Sequence, residues 1–267
     1  MFDPDALSET LELLSDGAHA RKRARQVQPF RGVRGVPHGA LVGVLVDVWS
    51  SDRPKLPRDA DALYDLFMGA HEDGLVAIGL IAALLPDEPV EALDVADRLA
   101  EFVDDVETAD ALGWMVLGPG LLAAGEPFVE GLLAWRKAER PEQRRMALMA
   151  SLAALPVPVE GPAAAALRER AGERRLAFVS EPMGDLVEPI VTAFLRDPSP
   201  PVAKAVVRVL RSWATVEPDR VEAFIDGVKG GVPKVLREAV TRAVRKGRRL
   251  QQRASEPPRP REPEDWE

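Results

Sequence analysis

The 267-residue chain contains no cysteine, and it has one tyrosine and three histidines. Without cysteine the chain has no disulfide bonds, no thiolate zinc ligands and no cysteine nucleophile. His19, His38 and His71 are scattered and match no metal-binding spacing. The nucleophile elbow, the phosphate-binding loop and the dinucleotide-binding glycine motif are also missing. We therefore expect neither a metal nor a cofactor.

Long hydrophobic runs are also scarce. The longest, LVAIGLIAALL, covers residues 75–85 and is too short to span a bilayer. The N-terminal segment MFDPDALSETLELL is acidic and has neither the basic region nor the apolar core of a signal peptide. We therefore expect a cytoplasmic protein that does not contact a membrane.

Charge is unevenly distributed along this chain of net charge −8. Residues 1–110 carry 10 Lys/Arg and 22 Asp/Glu, whereas residues 111–253 carry 23 Lys/Arg and 16 Asp/Glu. A basic half permits a local nucleic-acid surface on an acidic protein. The alternative is that these charges only cover solvated helix faces.

The composition predicts helices, because Ala, Leu, Glu and Arg dominate and alternating β-branched runs do not occur. Many of the 24 prolines stand where helices should begin, since a proline fits the first helical turn. Alternate starts are 39, 36 and 32 residues apart, which is typical of stacked helix pairs. The fold class predicted is all-α, an α-solenoid of HEAT-like antiparallel helix pairs, with a plain helical bundle as the alternative. The predicted starts are Pro89, Pro127, Pro141, Pro162, Pro182, Pro201, Pro218 and Pro233.

We expect one solenoid domain over residues 1–250, as a monomer. The charged, proline-rich segment 251–267 is predicted to be a disordered tail. Within residues 155–183 the sequence predicts a proline-rich turn followed by one added helix, GPAAAALRERAGERRLAFV.

The segment VETADALGWMVLGPGLL, residues 106–122, predicts an amphipathic helix with an unusual carboxylate. Val106, Gly113 and Leu117 are spaced so that Asp110 is in line with the stripe that faces a neighbouring helix. Charged groups at such positions are seldom left without a partner or a task. Asp110 is therefore a candidate functional residue.

The nearby carboxylates have a simpler explanation. Asp104 or Asp105 suits the N-cap of this helix, and Glu107 favours the positive end of the helix dipole. Asp110 lies beyond the first turn, so neither effect accounts for it.

Five segments, in order, resemble the DNA alkylation repair family, the AlkD-like HEAT-repeat DNA glycosylases. The resemblance covers residues 25–247. The segments are PFRGVRGVPHGAL, LFMGAHEDGLVAIGLIAALL, VETADALGWMVLGPGLL, LLAWRKAERPEQRRMALMASL and DPSPPVAKAVVRVLRSWATVEPDRVEAFI.

This resemblance implies a C-shaped solenoid with double-stranded DNA along its concave, basic face. It implies excision of cationic N3- or N7-alkylated purines without base flipping, and a nucleoid location when DNA is bound. Asp110 matches the last position of the family's W-D-x-x-D stretch, where the catalytic carboxylate lies. A fixed carboxylate suits this chemistry, because loss of a cationic purine leaves an oxocarbenium-like sugar.

Two positions depart from the family pattern. Val106 and Arg208 stand where the family has tryptophans that pack beside the lesion. A guanidinium at position 208 would repel a cationic base but suits a phosphate. Trp114 and Trp213 are interpreted as residues of the hydrophobic core rather than as replacements for these two tryptophans.

The resemblance also implies a set of DNA-binding residues. Lys204, Arg208 and Arg211 are spaced i, i+4 and i+7 along one predicted helix, which suits a phosphate backbone. Residues 226–253 add 9 Lys/Arg against 2 Asp/Glu, either for flanking phosphates or for solubility. The set is Arg144, Arg145, Lys204, Arg208 and Arg211.

The sequence thus predicts a DNA glycosylase that uses Asp110. The alternative is a non-catalytic relative that binds branched or distorted DNA, or a protein partner. The contacts of Asp110 bear on the choice, because a purely structural carboxylate should lie within salt-bridge reach of an arginine such as Arg144 or Arg145.

Overall fold

The computed structural model describes residues 2–27, 31–155 and 183–255. Within these ranges the regular structure is helical and contains no strand. The fold is an all-α solenoid, which confirms the fold class predicted from the proline spacing. The chain divides into two compact units, Met1–Val209 and Leu210–Glu267. The prediction of one domain over residues 1–250 stays a prediction.

The helices follow one another with short connections. A π-helical segment, Gly113–Leu117, joins α7 to α8, and a 3-10 turn, Trp135–Lys137, follows α9. The division between the units falls inside α12. The helices described are α1 (Pro4–Leu13), α2 (Gly17–Val27), α3 (His38–Ser51), α4 (Ala60–Met68), α5 (His71–Leu84), α6 (Pro89–Ala100), α7 (Val106–Leu112), α8 (Gly118–Ala124), α9 (Glu126–Ala134), α10 (Pro141–Ala154), α11 (Met183–Phe194), α12 (Pro200–Val216), α13 (Pro218–Gly227) and α14 (Lys234–Ser255).

Prolines begin the helices as predicted. Helices α6, α10 and α13 start at Pro89, Pro141 and Pro218. Their rings occupy positions where a backbone N–H would have no helical partner. Pro127 and Pro201 are the second residues of α9 and α12, and Pro233 immediately precedes α14. Pro162, Pro182 and the added helix predicted within 155–183 lie outside the described residues.

The core of the first unit is built around α5. Nearly all of this helix is buried, and it contacts α3, α4, α6 and α7. The apolar run at 75–85 is therefore the interior of a packed helix, where Leu80, Ile81 and Leu84 are fully enclosed. None of the described helices combines the length and the apolar character that a membrane crossing requires.

Two glycines bring the α7–α8 run against α10. A Cβ atom at Gly113 would lie 2.7 Å from the Met149 Cβ, and one at Gly118 would lie 2.3 Å from the Ala153 Cβ. Only a hydrogen fits at these distances, so both positions require glycine for this approach. The closeness matters because α7 carries Asp110 and α10 carries Arg145.

The sequence predicted one regular amphipathic helix over residues 106–122, but the structure divides this segment into α7, a π-helical segment and α8. The N–H of Gly118 donates to the carbonyl of Gly113, five residues back, which defines the π-helical segment. A π turn holds more residues than an α turn. The i+7 alignment of Leu117 with Asp110 is therefore lost, although Leu117 is still buried.

The second unit has its own apolar centre. Trp213 is fully buried, donates to the Glu217 carboxylate at 2.8 Å, and lies 5.5 Å from the ring of Phe224. This confirms Trp213 as a core residue. Helix α14 packs on α13 and includes residues 251–255, the start of the predicted tail. Residues 256–267 lie outside the described ranges.

Candidate functional site

Helix α7 begins at a buried aspartate cap. The Asp105 carboxylate accepts hydrogen bonds from the backbone N–H groups of Glu107 and Thr108, each at 2.8 Å. The Thr108 hydroxyl donates to the same side chain. Of the two cap candidates, the structure confirms Asp105, and this cap fixes where α7 starts.

His71 lies between two carboxylates of α7 and is fully buried. Its Nδ1 is 3.3 Å from the Asp105 Oδ2, and its Nε2 is 3.2 Å from the Glu107 Oε2. Burial lowers the pKa of His71, but the two carboxylates outweigh burial and raise that pKa to about 9. Burial raises the pKa of both carboxylates, whereas His71 contributes to lowering it below the usual range. His71 is therefore a cation at neutral pH.

Two arginines complete this arrangement. The Arg23 Nη2 of α2 lies 2.5 Å from the Glu107 Oε1, and the Arg31 Nη2 lies 3.2 Å from the Asp104 Oδ1. Arg31 also donates to the carbonyl of Phe67. These groups clamp α2 and the following loop to the start of α7. We call the set Arg23, Arg31, His71, Asp104, Asp105 and Glu107 the α7 ion network.

The loop between α2 and α3 is held by the start of α5. The buried Glu72 carboxylate accepts the N–H groups of Arg34 and Gly35, both at 2.9 Å. The Arg34 Nε lies 2.8 Å from the Asp73 Oδ1. Gly35 has φ of 80°, in the left-handed region that favours glycine.

Asp110 lies at the other end of α7, between two arginines. The Arg145 Nε and Nη2 donate to the two carboxylate oxygens of Asp110 at 2.5 and 2.8 Å. The Arg208 Nη1 approaches the Asp110 Oδ2 at 3.4 Å. The Arg145 side chain is 8% exposed, that of Asp110 25% and that of Arg208 54%.

The bidentate salt bridge to Arg145 is the contact expected of a carboxylate with a purely structural role. It removes the cost of an unpaired charge on this stripe. Asp110 therefore needs no catalytic task to explain its position, and its catalytic role stays a prediction.

Arg144 forms a parallel pair one residue away. Its Nε lies 2.7 Å from the Asp197 Oδ2, and its Nη1 donates to the carbonyls of Ala138 and Glu139. The guanidinium groups of Arg144 and Arg145 thus donate their hydrogen bonds to acceptors within the protein. Their predicted phosphate contacts remain predictions, and the low exposure of both side chains disfavours them.

The remaining predicted DNA-binding residues are exposed. Lys204 and Arg208 project from α12 in the first unit, and Arg211 is exposed at the start of the second. Within the described residues, neither Lys204 nor Arg211 has an ion pair. Their side chains are free to bind a polyanion.

Sequence reasoning missed the α7 ion network, because it treated the histidines as scattered. One signal was present: the polar triplet of residues 71–73 stands directly before the apolar run of α5. Polar residues at the start of a buried helix need partners inside the protein.

Val106 and Trp114 are both half-buried. Among the described residues no group of three or more His, Asp or Glu is placed to hold a metal ion.

These features define an α-helical solenoid whose candidate site is a partly exposed carboxylate held between arginines. The family model described as DNA alkylation repair enzyme matches residues 7–243. The chain therefore belongs to the DNA alkylation repair enzyme family, and this membership supports a role in DNA repair.

One solved structure with a similar fold is described as a predicted DNA alkylation repair enzyme from Enterococcus faecalis. The TM-score is 0.60, with 14% sequence identity over 85% of this chain and 95% of that chain. At this identity the likeness shows the fold alone. No curated protein matches the chain significantly.

Proposed function

We propose that this protein binds duplex DNA and hydrolyses the N-glycosidic bond of cationic, alkylated purines, with Asp110 as the catalytic carboxylate. The observation that carries the proposal is the position of Asp110. Its carboxylate is fixed by Arg145 yet 25% exposed, at a surface that also bears Arg208. A rigid anion within reach of solvent is what a developing sugar cation requires.

The proposed reaction separates the base from C1′ of the deoxyribose. The glycosidic electron pair leaves with the purine, which becomes neutral because alkylation had made it cationic. The sugar then carries oxocarbenium character, which Asp110 stabilises. Water adds to C1′ and its proton is released to solvent. The base need not leave the stack in this scheme, since the carboxylate acts on the sugar.

Exposed cations of α12 support the DNA-binding half of the proposal. Lys204 and Arg208 are one helical turn apart and exposed, and Arg211 continues the spacing along the same helix. Phosphates along a duplex backbone present the matching charge. These side chains replace Arg144 and Arg145 as the main proposed phosphate ligands.

A second function is favoured by the contacts of Asp110 themselves. Arg145 takes up both carboxylate oxygens and Arg208 lies close to one of them. Two guanidinium groups reduce the negative field available to a substrate cation. In this alternative the protein binds distorted or branched DNA without cleaving a glycosidic bond.

One experiment separates the two functions. The intact protein is incubated under single-turnover conditions with duplexes carrying 7-methylguanine, 3-methyladenine or a bulkier N3 or N7 adduct. Release of any of these bases supports the glycosylase. Binding without release from every duplex supports the second function. No detectable binding of any duplex at low salt contradicts both.

A further inference from the structure

Helix α2 interrupts the acidic half of the chain. Residues 17–46 contain six lysines and arginines and no aspartate or glutamate. Summing charge over residues 1–110 hides this stretch, because the surrounding segments are strongly acidic. Four of the six basic residues lie in α2, Gly17–Val27.

The basic residues of α2 point in two directions. Arg23 turns inward and binds Glu107. Arg21, Lys22 and Arg25 are exposed, and among the described residues of α2 only Arg23 forms salt bridges, although Arg21 interacts with the Asp16 carboxylate over a longer distance. At about 100° per residue, these three lie within a sector of about 100°, while Arg23 lies about 200° from Arg21. We call Arg21, Lys22 and Arg25 the α2 basic face.

The stability of the protein explains this face only in part. No residue of α2 is buried, and like charges at the i, i+4 positions of Arg21 and Arg25 weaken a helix by a few tenths of a kcal/mol. Clustered positive charge adds nothing to the solubility of a chain with net charge −8. The helix dipole favours Arg25 in the last turn, and Arg21 interacts with the Asp16 carboxylate, but neither effect explains why three exposed cations share one groove, which suits a ligand of opposite charge.

The shape of the face suits a phosphate. An open groove of about 410 Å³ is lined by Ala18, Arg21, Lys22, Arg25 and Gln26. The small Ala18 side chain leaves room between the cationic groups. Guanidinium groups bind phosphate oxygens through paired N–H donors, and the Gln26 amide adds a neutral donor.

Helix α2, though not its basic face, is tied to the candidate catalytic helix. Arg23 binds Glu107, and Glu107 precedes Asp110 by three residues on α7, a rise of about 4.5 Å. The α2 basic face lies on the side of α2 opposite Arg23, so it points away from this contact. A duplex carries about one charge per 1.7 Å of its axis, so a duplex that lies on α2 presents several phosphates to the three cations.

We propose that the α2 basic face is a phosphate-binding surface for duplex DNA, separate from the cations of α12. This inference rests on the proposed function for its ligand. Duplex DNA is favoured over an anionic membrane because the face has no large apolar side chain to insert beside its charges. The face extends DNA binding to the N-terminal end of the chain.

The test neutralises the face and measures the salt dependence of binding. The variant combines Arg21→Gln, Lys22→Gln and Arg25→Gln in the full chain, and the probe is an undamaged 20-base-pair duplex followed by fluorescence anisotropy. Each lost phosphate contact makes the slope of log K against log salt shallower by about 0.9. We expect a slope shallower by about 2–3, and affinity about 10- to 100-fold weaker at 0.1 M salt.

The matched control removes the same charge elsewhere in the first unit. It combines Arg136→Gln, Lys137→Gln and Arg140→Gln, whose side chains are exposed. We expect a slope change below about 1 for this control. Both variants should keep the wild-type melting temperature, since neither loses a structural contact.

The outcomes separate this inference from the proposed function. A wild-type slope in the α2 variant, or an equal change in the control, overturns the α2 basic face as a binding surface. It leaves the glycosylase proposal intact if the wild type still binds and releases base. Loss of binding to phosphatidylserine vesicles with unchanged DNA binding would identify a membrane instead, which also overturns the inference.

Discussion

The two ends of α7 use the same chemistry in different surroundings. At its N-terminal end, His71 and Asp105 meet with side chains that are 0% exposed. At its C-terminal end, Asp110 binds Arg145 with a side chain that is 25% exposed. His71 and Asp105 are out of reach of any ligand, whereas solvent reaches Asp110 and also Glu107, whose side chain is 40% exposed. Exposure therefore distinguishes the buried cap Asp105 from Asp110, although both carboxylates face cations.

The comparison also separates two costs. Removing one partner from a fully buried ion pair leaves an uncompensated charge and costs about 3–5 kcal/mol of stability. Removing a partly exposed carboxylate costs less stability, because water compensates the remaining arginine. A mutation of the buried pair at the N-terminal end of α7 should thus mainly lower stability. A mutation of Asp110 at the C-terminal end should mainly lower activity.

The largest effect is expected from Asp105→Ala. This change removes the cap of α7 and one carboxylate partner of His71, so the free energy of unfolding should fall by about 3–5 kcal/mol. The expected decrease in Tm is roughly 10 °C or more. Base release by the folded fraction should stay near normal, measured beside a thermal melt.

Asp61→Ala is the control for that change. Asp61 lies 2.6 Å from Arg98, but its side chain is 85% exposed. Its loss should cost about 1 kcal/mol or less. If Asp105→Ala is no more destabilising than Asp61→Ala, the α7 ion network does not hold the helix.

Asp110→Asn should act on the reaction instead. It keeps the shape of the side chain and removes the charge proposed to stabilise the sugar cation. We expect single-turnover base release to fall by about 100-fold or more, with DNA affinity unchanged or slightly higher. The Tm should also fall modestly, because Arg145 loses a charged partner.

Asp197→Asn is a control of matching chemistry. Asp197 binds Arg144, the residue next to Arg145 on α10, in the same bidentate manner. It should lower the Tm by a comparable amount and leave base release near the wild-type rate. An Asp110→Asn protein that is destabilised but as active as Asp197→Asn would sink the catalytic assignment.

The pH dependence of stability tests the buried histidine. Because folding raises the pKa of His71 from 6.5 to about 9, its contribution is complete below pH 6.5 and disappears as pH rises through 9. We expect the free energy of unfolding to fall by about 2 kcal/mol between pH 7 and pH 9. Chemical denaturation across this range measures it.

His71→Gln is the comparison for the pH series. A neutral amide keeps donor capacity without a titrating proton, so its stability should be lower at pH 7 and nearly flat toward pH 9. If the free energy of unfolding of the wild type falls toward pH 9 no more than that of His71→Gln, His71 is not a buried cation at neutral pH.

The smallest effect is expected from Arg208→Trp. Arg208 lies beside Asp110 and carries positive charge where the family has an aromatic ring, so the wild type should discriminate weakly between 7-methylguanine and undamaged duplexes. A tryptophan adds a cation–π partner for the lesion, and selectivity should rise by about 3- to 10-fold. Competition binding measures this ratio.

Arg211→Trp controls for the addition of an aromatic ring on the same helix, since Arg211 is exposed and has no bond to Asp110. Its selectivity should stay at the wild-type value. Strong selectivity for 7-methylguanine in the wild type would contradict the interpretation of Arg208.

The sequence predicted the helices well because their signals are local. Prolines at helix starts, good helix formers and the Asp105 cap act within a few residues, so Pro89, Pro141 and Pro218 begin helices as expected. It named Arg144 and Arg145 as possible partners of Asp110 but could not choose between them, since either pair joins positions about 35 residues apart in sequence. The sequence also carried no recognised signal for the π-helical segment, which packs against α10.

The glycines at 113 and 118 set a limit on how this protein can change over evolutionary time. They fix the spacing of the two helices that carry Asp110 and Arg145, and a single methyl group at either position would push those helices apart. New substrate preferences should therefore arise through side chains at the rim, such as Arg208, while the glycines are kept. A library that varies the rim and spares both glycines samples the variants that natural selection would reach first.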